Sequence, residues 1–303
     1  MSNQLSSDKL NCENILMEID VKDRIKGCIY GSRIGDDMGL NTQQLLFTIN
    51  GILYGETRLK IKGIGGDISK WIFLALKDWS KLNSDSGFKI TWLSNYKDFN
   101  KGNNSTLEEI KSLNINSVGK ITNDRDECDV LSRAIAISLC YFNSKSTEDM
   151  FDLSMKVCSI THGNNLIVLS SGFLSSFLSL LLNGKDLDTA FTLSLEILKK
   201  YPNSEVLVKR LEERNGDDCL SLCLSYCFKY ANDFENGVME AKKSNSTVSI
   251  LVGSILGLYN GIEDSNRIEI LDTISNDINT FITEKDFLKS EGWEERYVDV
   301  VFN

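Results

Sequence analysis

Two segments of the chain carry glycine at every fourth position. These glycines are Gly27, Gly31, Gly35 and Gly39 in the first segment and Gly253, Gly257 and Gly261 in the second. Residues four apart lie on the same face of an α-helix, so each series makes a smooth stripe that another helix can approach closely. Glycine costs ~1 kcal/mol per helical position relative to alanine, so several glycines in register indicate a packing role. The stripes therefore predict closely packed helices.

The rest of the sequence also favours helices. Proline occurs once, at Pro202, and its scarcity suits long uninterrupted helices because proline removes a helix hydrogen bond. No alternating strand pattern with turn signals stands out. With 303 residues, 42% of them hydrophobic, the chain can form one buried core. We expect an all-α fold: one compact multi-helix domain over residues 20–283, a polar N-terminal tail at 1–19 and a C-terminal tail at 284–303.

Apolar residues at helical spacing predict the individual elements. A helical hairpin is expected over residues 20–53, and helices are then expected at 71–82, 105–113, 130–142, 147–160, 166–182, 187–201, 204–214, 217–230, 234–241, 247–259 and 268–283. Residues 83–104 and 114–129 are polar and irregular, and predict loops. Ser105, three residues before Glu108, is the expected N-cap of its helix.

Charge and hydropathy exclude several classes of function. The chain has 43 acidic and 33 basic residues and a net charge of -10, and such a surface repels phosphate backbones, so we expect no nucleic-acid partner. The most apolar run, residues 166–182, contains five serines and a glycine. It predicts a buried central helix and no membrane span. Because the first twenty residues lack an apolar signal segment, we expect a cytoplasmic protein, and the oligomeric state stays open.

The cysteines are expected to be structural. The chain has eight cysteines, none of them in a C-x-x-C pair. Cys219, Cys223 and Cys227 lie four residues apart, on one face of a predicted helix. His162 is the only histidine, so a zinc site would have to use cysteine alone. We expect the cysteines to serve as small apolar residues of a reduced core.

Five short motifs, in order along the chain, resemble the ADP-ribosylglycohydrolase family. The motifs are Gly35-Asp36-Asp37-Met38-Gly39, Asn41-Thr42-Gln43-Gln44, Asn123-Asp124 with Cys128 and Leu131-Ser132-Arg133-Ala134, Thr161-His162, and the segment 247–261. That family has an all-α fold with two central magnesium ions, held by aspartates and threonines, and it cleaves ADP-ribose from modified side chains. The resemblance implies this fold and an ancestor that used hard dications with oxygen ligands.

The resemblance also implies roles for particular side chains. Asp36 and Asp37 are adjacent carboxylates on a family motif and are the candidate catalytic residues. The candidate ligand-binding residues are Asn41, Thr42, Asn123, Asp124, Arg133 and His162. Other roles stay open for three of these: a solvent-facing carboxylate for Asp37, an ion-pair partner for Arg133 and a structural histidine for His162.

The metal-binding motifs depart from the family at their carboxylates. Leu40, Asn41, Ser244 and Ser246 stand where the family has aspartates. Asn41, Ser244, Ser246 and Thr247 are therefore interpreted as vestigial metal positions. Hydroxyls and amides can ligate a metal, but they bring no charge to offset the repulsion between two dications. We expect no cofactor, and Mg²⁺ only if hydrolysis persists.

Three functions remain open. The first is a catalytically degenerate family member that binds an ADP-ribose-like small molecule or an ADP-ribosylated protein. The second is an active ADP-ribosyl hydrolase with a metal site rebuilt around Asp36 and Asp37. The third is a purely structural helical protein. Asp126, Glu127 and Asp129, which stand beside Cys128, place negative charge where the ribose- or phosphate-facing loop would be and so weaken ADP-ribose binding.

Overall fold

The computed structural model describes the chain in eight stretches. They are residues 19–63, 66–82, 91–96, 99–100, 102–120, 123–214, 217–262 and 267–298. Within these stretches the chain forms fourteen α-helices around one hydrophobic core, and no β-strand. The all-α, single-domain prediction is confirmed. The predicted tail at residues 1–19 lies outside the described stretches except for Ile19, and the predicted domain limits stay predictions.

The helices follow one another with short connections. In chain order they are α1 (Val21–Asp36), α2 (Leu40–Lys62), α3 (Ile68–Ser80), α4 (Ser105–Ser112), α5 (Ser132–Tyr141), α6 (Thr147–Cys158), α7 (Asn165–Leu182), α8 (Leu187–Leu198), α9 (Glu205–Glu213), α10 (Cys219–Lys229), α11 (Phe234–Lys242), α12 (Ser246–Asn260), α13 (Glu269–Thr283) and α14 (Trp293–Tyr297). The hairpin predicted to end at residue 53 continues to Lys62, where Gly63 in the left-handed conformation (φ 64°) ends the helix.

The glycine stripes of α1 and α12 pack directly against each other. A Cβ at Gly31 would run into the backbone carbonyl of Gly253, and a Cβ at Gly253 would run into the carbonyl of Gly31. Gly27 and Gly257 oppose each other in the same way. The two backbones are thus in contact with no side chain between them, a distance that only glycine permits. The packing role predicted for the stripes is confirmed for these residues.

Gly39 does not belong to the stripe, although its spacing suggested that it would. The first helix ends at Asp36, and Asp37 and Met38 turn the chain with φ values of 49° and 57°. Gly39 is then the N-cap of α2, and a Cβ there would press on the carboxylate of Asp36. The prediction for Gly39 is wrong because the four-residue spacing continues past the end of α1. Spacing alone cannot indicate a sharp turn made by non-glycine residues with positive φ.

The apolar helix α7 lies in the centre of the fold. By length and composition it could cross a membrane, but 89% of it is buried inside the structure. It packs against α5, α6, α8 and α12. Its serines bond to neighbouring helices: the Ser138 hydroxyl donates to the Ser175 carbonyl at 3.2 Å, and the Ser154 hydroxyl donates to the Ser171 carbonyl at 2.9 Å. A buried central helix was predicted for this segment.

Helix α4 is capped one residue earlier than predicted. The Asn104 side chain, rather than Ser105, accepts a hydrogen bond from the backbone N–H of Leu107 at 2.8 Å. Asn104 has the extended backbone of an N-cap (φ -143°), whereas Ser105 is the first residue inside the helix. The prediction for Ser105 is wrong because two good capping residues stand side by side and only the backbone distinguishes them.

Residues beyond 283 contribute to the core. Trp293 and Tyr297 are fully buried, and the Trp293 indole donates to the Thr57 hydroxyl at 3.0 Å. Asp277 accepts two hydrogen bonds from Arg296, at 2.7 and 2.6 Å, and one from the Tyr297 hydroxyl at 2.8 Å. Part of the segment expected as a C-terminal tail is therefore held on α2 by the Trp293 hydrogen bond and on α13 by the half-buried Arg296–Asp277 ion pair.

The prediction of a fully reduced set of cysteines is wrong for one pair. Cys128 and Cys219 form a disulfide, with Cα atoms 6.3 Å apart, and lie 91 positions apart in the chain. The other described cysteines are buried free thiols, as predicted: Cys28, Cys140, Cys158, Cys223 and Cys227. Cys12 lies outside the described residues. Spacing four correctly aligned three cysteines on α10, but it could not reveal a distant partner for the first of them.

Candidate functional site

Four chain segments meet at one end of the packed α1–α12 pair. The Ser249 hydroxyl of α12 donates to the Gly35 carbonyl near the end of α1 at 2.7 Å. The Gln44 amide of α2 donates to the Asp129 carbonyl and to the Ser132 hydroxyl, each at 2.7 Å. The Thr42 backbone N–H at the start of α2 donates to Asp36 at the end of α1 at 2.9 Å, which links these contacts. The end of α1, the start of α2, the 3₁₀ turn Cys128–Leu131 and the start of α12 are thereby held together. This convergence, the rim, contains residues of four of the five motifs, all but Thr161-His162.

Asp36 supplies the cap that Gly39 lacks. One carboxylate oxygen accepts the backbone N–H of Thr42 at 2.9 Å, and the other accepts the Asn41 amide at 3.3 Å. Burial raises the pKa of Asp36, while the hydrogen bonds from Thr42 and Asn41 act in the opposite direction. Both oxygens are thus engaged at the start of α2, where a helix N-terminus favours a negative charge.

The neighbouring residues of this motif face in different directions. Asp37 is exposed, and its carbonyl accepts a hydrogen bond from the Asn100 amide at 3.0 Å. Thr42 is fully buried, and its hydroxyl donates to the Ser32 carbonyl at 3.3 Å. Asn41 is 6% exposed. The two candidate catalytic carboxylates therefore have unlike surroundings, one capping a helix and the other in solvent.

The residues near the start of α12 that the sequence led us to interpret as vestigial metal positions lie mostly on the surface. Ser244 and Ser246 are exposed and Thr247 is half-buried. The Ser244 hydroxyl lies 3.0 Å from the Tyr226 hydroxyl, and Asn245 caps α12 by accepting the Val248 N–H at 2.8 Å. Across the part of the chain that the structure covers, no group of three or more His, Cys, Asp or Glu side chains is arranged to hold a metal ion.

Asn123 and Asp124 attach the loop before α5 to the start of α7. The Asn123 amide donates to the Thr161 carbonyl at 2.9 Å, and its oxygen accepts the Gly163 N–H at 3.0 Å. Asp124 accepts the Asn164 amide at 3.0 Å. The structure brings these two predicted ligand-binding residues next to the Thr161-His162 motif, and it uses their side chains to fix the loop.

His162 is fully buried behind the same loop. Its Nδ1 lies 2.8 Å from the Thr161 hydroxyl, and its Nε2 lies 3.5 Å from a Glu127 carboxylate oxygen and 3.9 Å from an Asp129 oxygen. Burial, reinforced by Arg133 and Arg125, lowers the pKa of His162 to about 3 despite the two carboxylates. The imidazole is therefore neutral at physiological pH, because removing it from water costs more than the carboxylates restore.

Arg133 is also fully buried. Its Nη1 donates to the Val157 carbonyl at 3.2 Å, while its other two nitrogens are buried with no hydrogen-bond partner in the described part of the chain. Burial lowers the pKa of Arg133 to about 10, and Cys158 and Asp129 oppose this effect. Because this guanidinium is enclosed under the loop before α5, it could contact a phosphate only if the loop opened.

A cavity of about 360 Å³ lies beside the rim, between the loop before α5 and the starts of α7 and α10. Four carboxylates and one guanidinium line it, together with the disulfide: Asp126, Glu127, Asp217, Asp218, Arg210, Cys128 and Cys219. None of the candidate catalytic or ligand-binding residues lines it. The sequence analysis did not single out three of these residues, Asp217, Asp218 and Arg210, because they belong to no motif. The tertiary fold alone brings them next to the loop.

Comparison with models of known protein families gives a match over most of the chain. The sequence model of the ADP-ribosylglycohydrolase family matches residues 17–274 of the chain. This match spans the glycine interface, the rim, the loop and the start of α13. No match was found among curated proteins.

Proposed function

Because this chain belongs to the ADP-ribosylglycohydrolase family, we propose that it keeps the family fold to bind an ADP-ribose-type small molecule or an ADP-ribosylated protein, without magnesium-dependent hydrolysis. One observation carries this proposal. Asp36 holds the aspartate position of the first family motif, and its two oxygens accept hydrogen bonds from Asn41 and Thr42.

The residues at the rim do not fit a binuclear magnesium site. Mg²⁺ takes near-octahedral oxygen ligands, usually anchored by carboxylates, and two such ions repel each other strongly. At the start of α12 the side chains are the neutral hydroxyls of Ser244, Ser246 and Thr247. Asp36 brings a single negative charge, and each of its oxygens already accepts a hydrogen bond at the start of α2. We infer that this set cannot hold two dications.

The negative charge of the loop before α5 should weaken the binding of a diphosphate. Asp126 and Glu127 lie on this loop, and their charges repel an anionic ligand over a distance of about 10 Å at 0.1 M salt. The replacement of both by Asp126→Asn and Glu127→Gln should therefore tighten ADP-ribose binding. Weak affinity of the unmodified chain would in turn favour a modified protein as the partner, because protein contacts can add to those of the nucleotide.

The test combines calorimetric titration and turnover on the full chain. ADP-ribose is titrated in EDTA and in excess Mg²⁺, and an ADP-ribosylated protein is incubated with the chain under both conditions. We expect binding that does not depend on Mg²⁺ and no release of ADP-ribose. Magnesium-dependent release would overturn the proposal.

A variant that restores negative charge provides the matched control. Ser244 and Ser246 are exposed, so Ser244→Asp with Ser246→Asp should fold normally. We expect this double variant to bind Mg²⁺ more tightly than the unmodified chain. Equal affinity would mean that charge at these positions does not limit metal binding.

The active-hydrolase alternative gives the opposite result. It needs Asp36 and Asp37, so any turnover should disappear in Asp36→Asn with Asp37→Asn. Asparagine at position 36 can still accept the Thr42 N–H, which keeps the α2 cap. The purely structural alternative is favoured if saturating ADP-ribose leaves the melting temperature unchanged.

A further inference from the structure

The Cys128–Cys219 disulfide differs from the other described cysteines in its access to solvent. Both cysteines are half-buried and line the 360 Å³ cavity. The remaining described cysteines are fully buried, and burial raises the pKa of one of them, Cys158, to about 12. Thiols dissolved in water can therefore reach the disulfide, while the buried thiols are poor nucleophiles and cannot compete for it.

The disulfide joins two segments that little else connects. Cys128 begins the 3₁₀ turn that leads into α5, and Cys219 begins α10. Among the described residues, no hydrogen bond or ion pair joins residues 123–131 to residues 217–223, whereas the loop is tied to the start of α7 by Asn123 and Asp124. Cleavage of the disulfide would thus free the start of α10 from the loop without disturbing the loop's other attachments.

The cavity gives this disulfide an electrostatic preference. Asp126, Glu127, Asp217 and Asp218 face it. Two guanidinium groups oppose them: that of Arg210 lies 3.9 Å from Asp218, and that of Arg125 lies 3.6 Å from Glu127, so negative charge remains in excess. A cleft with an excess of one charge concentrates ligands of the opposite sign and repels those of the same sign. Cationic thiols should therefore reach the sulfur atoms more readily than anionic thiols.

We propose that Cys128–Cys219 is a reversible thiol–disulfide switch, reduced through the acidic cavity by cationic or neutral thiols, that releases the start of α10 from the loop before α5. This switch does not depend on any bound nucleotide and is independent of the function proposed above.

The chemistry is ordinary thiol–disulfide exchange. A thiolate attacks one sulfur atom of the pair, forms a mixed disulfide with it and expels the other cysteine as a thiolate, which takes a proton from water. A second thiolate then attacks the mixed disulfide and releases the remaining cysteine, which is also protonated. In total, two thiols become one small-molecule disulfide, and the pair gains two electrons and two protons.

The first experiment measures the charge preference on the full chain with Cys12→Ser, so that no cysteine outside the described residues contributes. The oxidised protein is treated with cysteamine, a cationic thiol, or with 3-mercaptopropionate, an anionic thiol, at equal thiolate concentrations. Mass spectrometry after alkylation follows the loss of the disulfide. Hydroxyethyl disulfide, which is neutral, gives the intrinsic rate ratio of the two thiols.

At low salt, we expect the rate of disulfide loss with cysteamine, divided by the rate with 3-mercaptopropionate, to exceed the same ratio for hydroxyethyl disulfide by on the order of tenfold. This excess should vanish in 1 M salt, where the Debye length is about 3 Å. Asp126→Asn with Asp217→Asn should reduce the excess at low salt. Glu294→Gln with Glu295→Gln, which removes equal charge from exposed positions on α14, should leave it unchanged. A low-salt ratio equal to that of hydroxyethyl disulfide would overturn the proposal, as would a purified oxidised protein that contains no such disulfide.

The second experiment measures the structural consequence. Hydrogen exchange is compared between the oxidised chain, the reduced chain and Cys128→Ser with Cys219→Ser. We expect faster exchange at the first turn of α10 on reduction, the same faster exchange in the double variant, and no further response of that variant to reductant. Unchanged exchange at α10 after complete reduction would overturn the release of the helix.

Discussion

The α1–α12 interface and the rim at its end impose different demands on sequence. In the interface, Gly31 and Gly253 bring two backbones into contact, and any side chain there would collide with a carbonyl. Beside the rim, Ser244 and Ser246 are exposed, and the one side-chain contact described above for them is that of the Ser244 hydroxyl with Tyr226. The comparison teaches that steric requirements on the residue type concentrate in the core, whereas exposed positions tolerate many side chains.

The most severe test of this comparison replaces a glycine of the interface. Gly31→Ala places a methyl group against the Gly253 carbonyl, and the two helices must separate to accept it. We expect a loss of about 3 kcal/mol in the free energy of unfolding, the upper end of the usual cost of overpacking. Urea denaturation followed by circular dichroism measures it. A loss below 1 kcal/mol would contradict backbone contact between the helices.

Asp36 tests whether the rim has a structural role of its own. Asp36→Ala removes two hydrogen bonds from the start of α2, and we expect a loss of about 1–2 kcal/mol. Asp36→Asn keeps an acceptor for the Thr42 N–H and should lose less than half as much. If the two variants unfold at the same urea concentration, the carboxylate has no capping role.

His162 tests how firmly the loop beside the rim is closed. Its pKa is lowered to about 3 in the folded protein, against about 6.5 for an unfolded chain. The unfolded state therefore binds the proton first, and stability falls as the pH falls from about 6.5 towards 3. At pH 5.5 this contributes a loss of about 1.4 kcal/mol relative to pH 7.5.

The measurement is the difference in urea stability between pH 7.5 and pH 5.5, compared with that of His162→Gln. We expect the difference to shrink by about 1.4 kcal/mol in the variant. The comparison is valid even if the variant is less stable overall, because each protein serves as its own reference. An unchanged pH difference would show that the imidazole is open to water.

The smallest effect is expected at the vestigial metal positions. Ser246→Ala changes an exposed side chain and should alter stability by less than about 0.5 kcal/mol, as surface substitutions usually do. A larger loss would mean that the rim carries more of the packing than its exposure indicates, and the contrast with Gly31 would weaken.

The motifs in the sequence named candidate residues but not their contacts. In the structure Asp36, Asn41 and Thr42 meet at the start of α2, while the Asn123 side chain bonds to Thr161 and Gly163. The sequence did not reveal that Asp36 caps α2, since that contact depends on the turn at Asp37 and Met38 with positive φ values. Nor did it show that the Arg133 side chain is fully enclosed, because burial is decided by every helix that packs around it.

The sequence by itself determined the helical class, the packing role of the glycine stripes and the family, because each depends on residue type and on spacing of a few positions along the chain. The tertiary structure alone decided the Cys128–Cys219 pairing and the acidic cavity beside it. These features join residues about ninety positions apart, and no local pattern fixes which distant segments meet once the helices have packed.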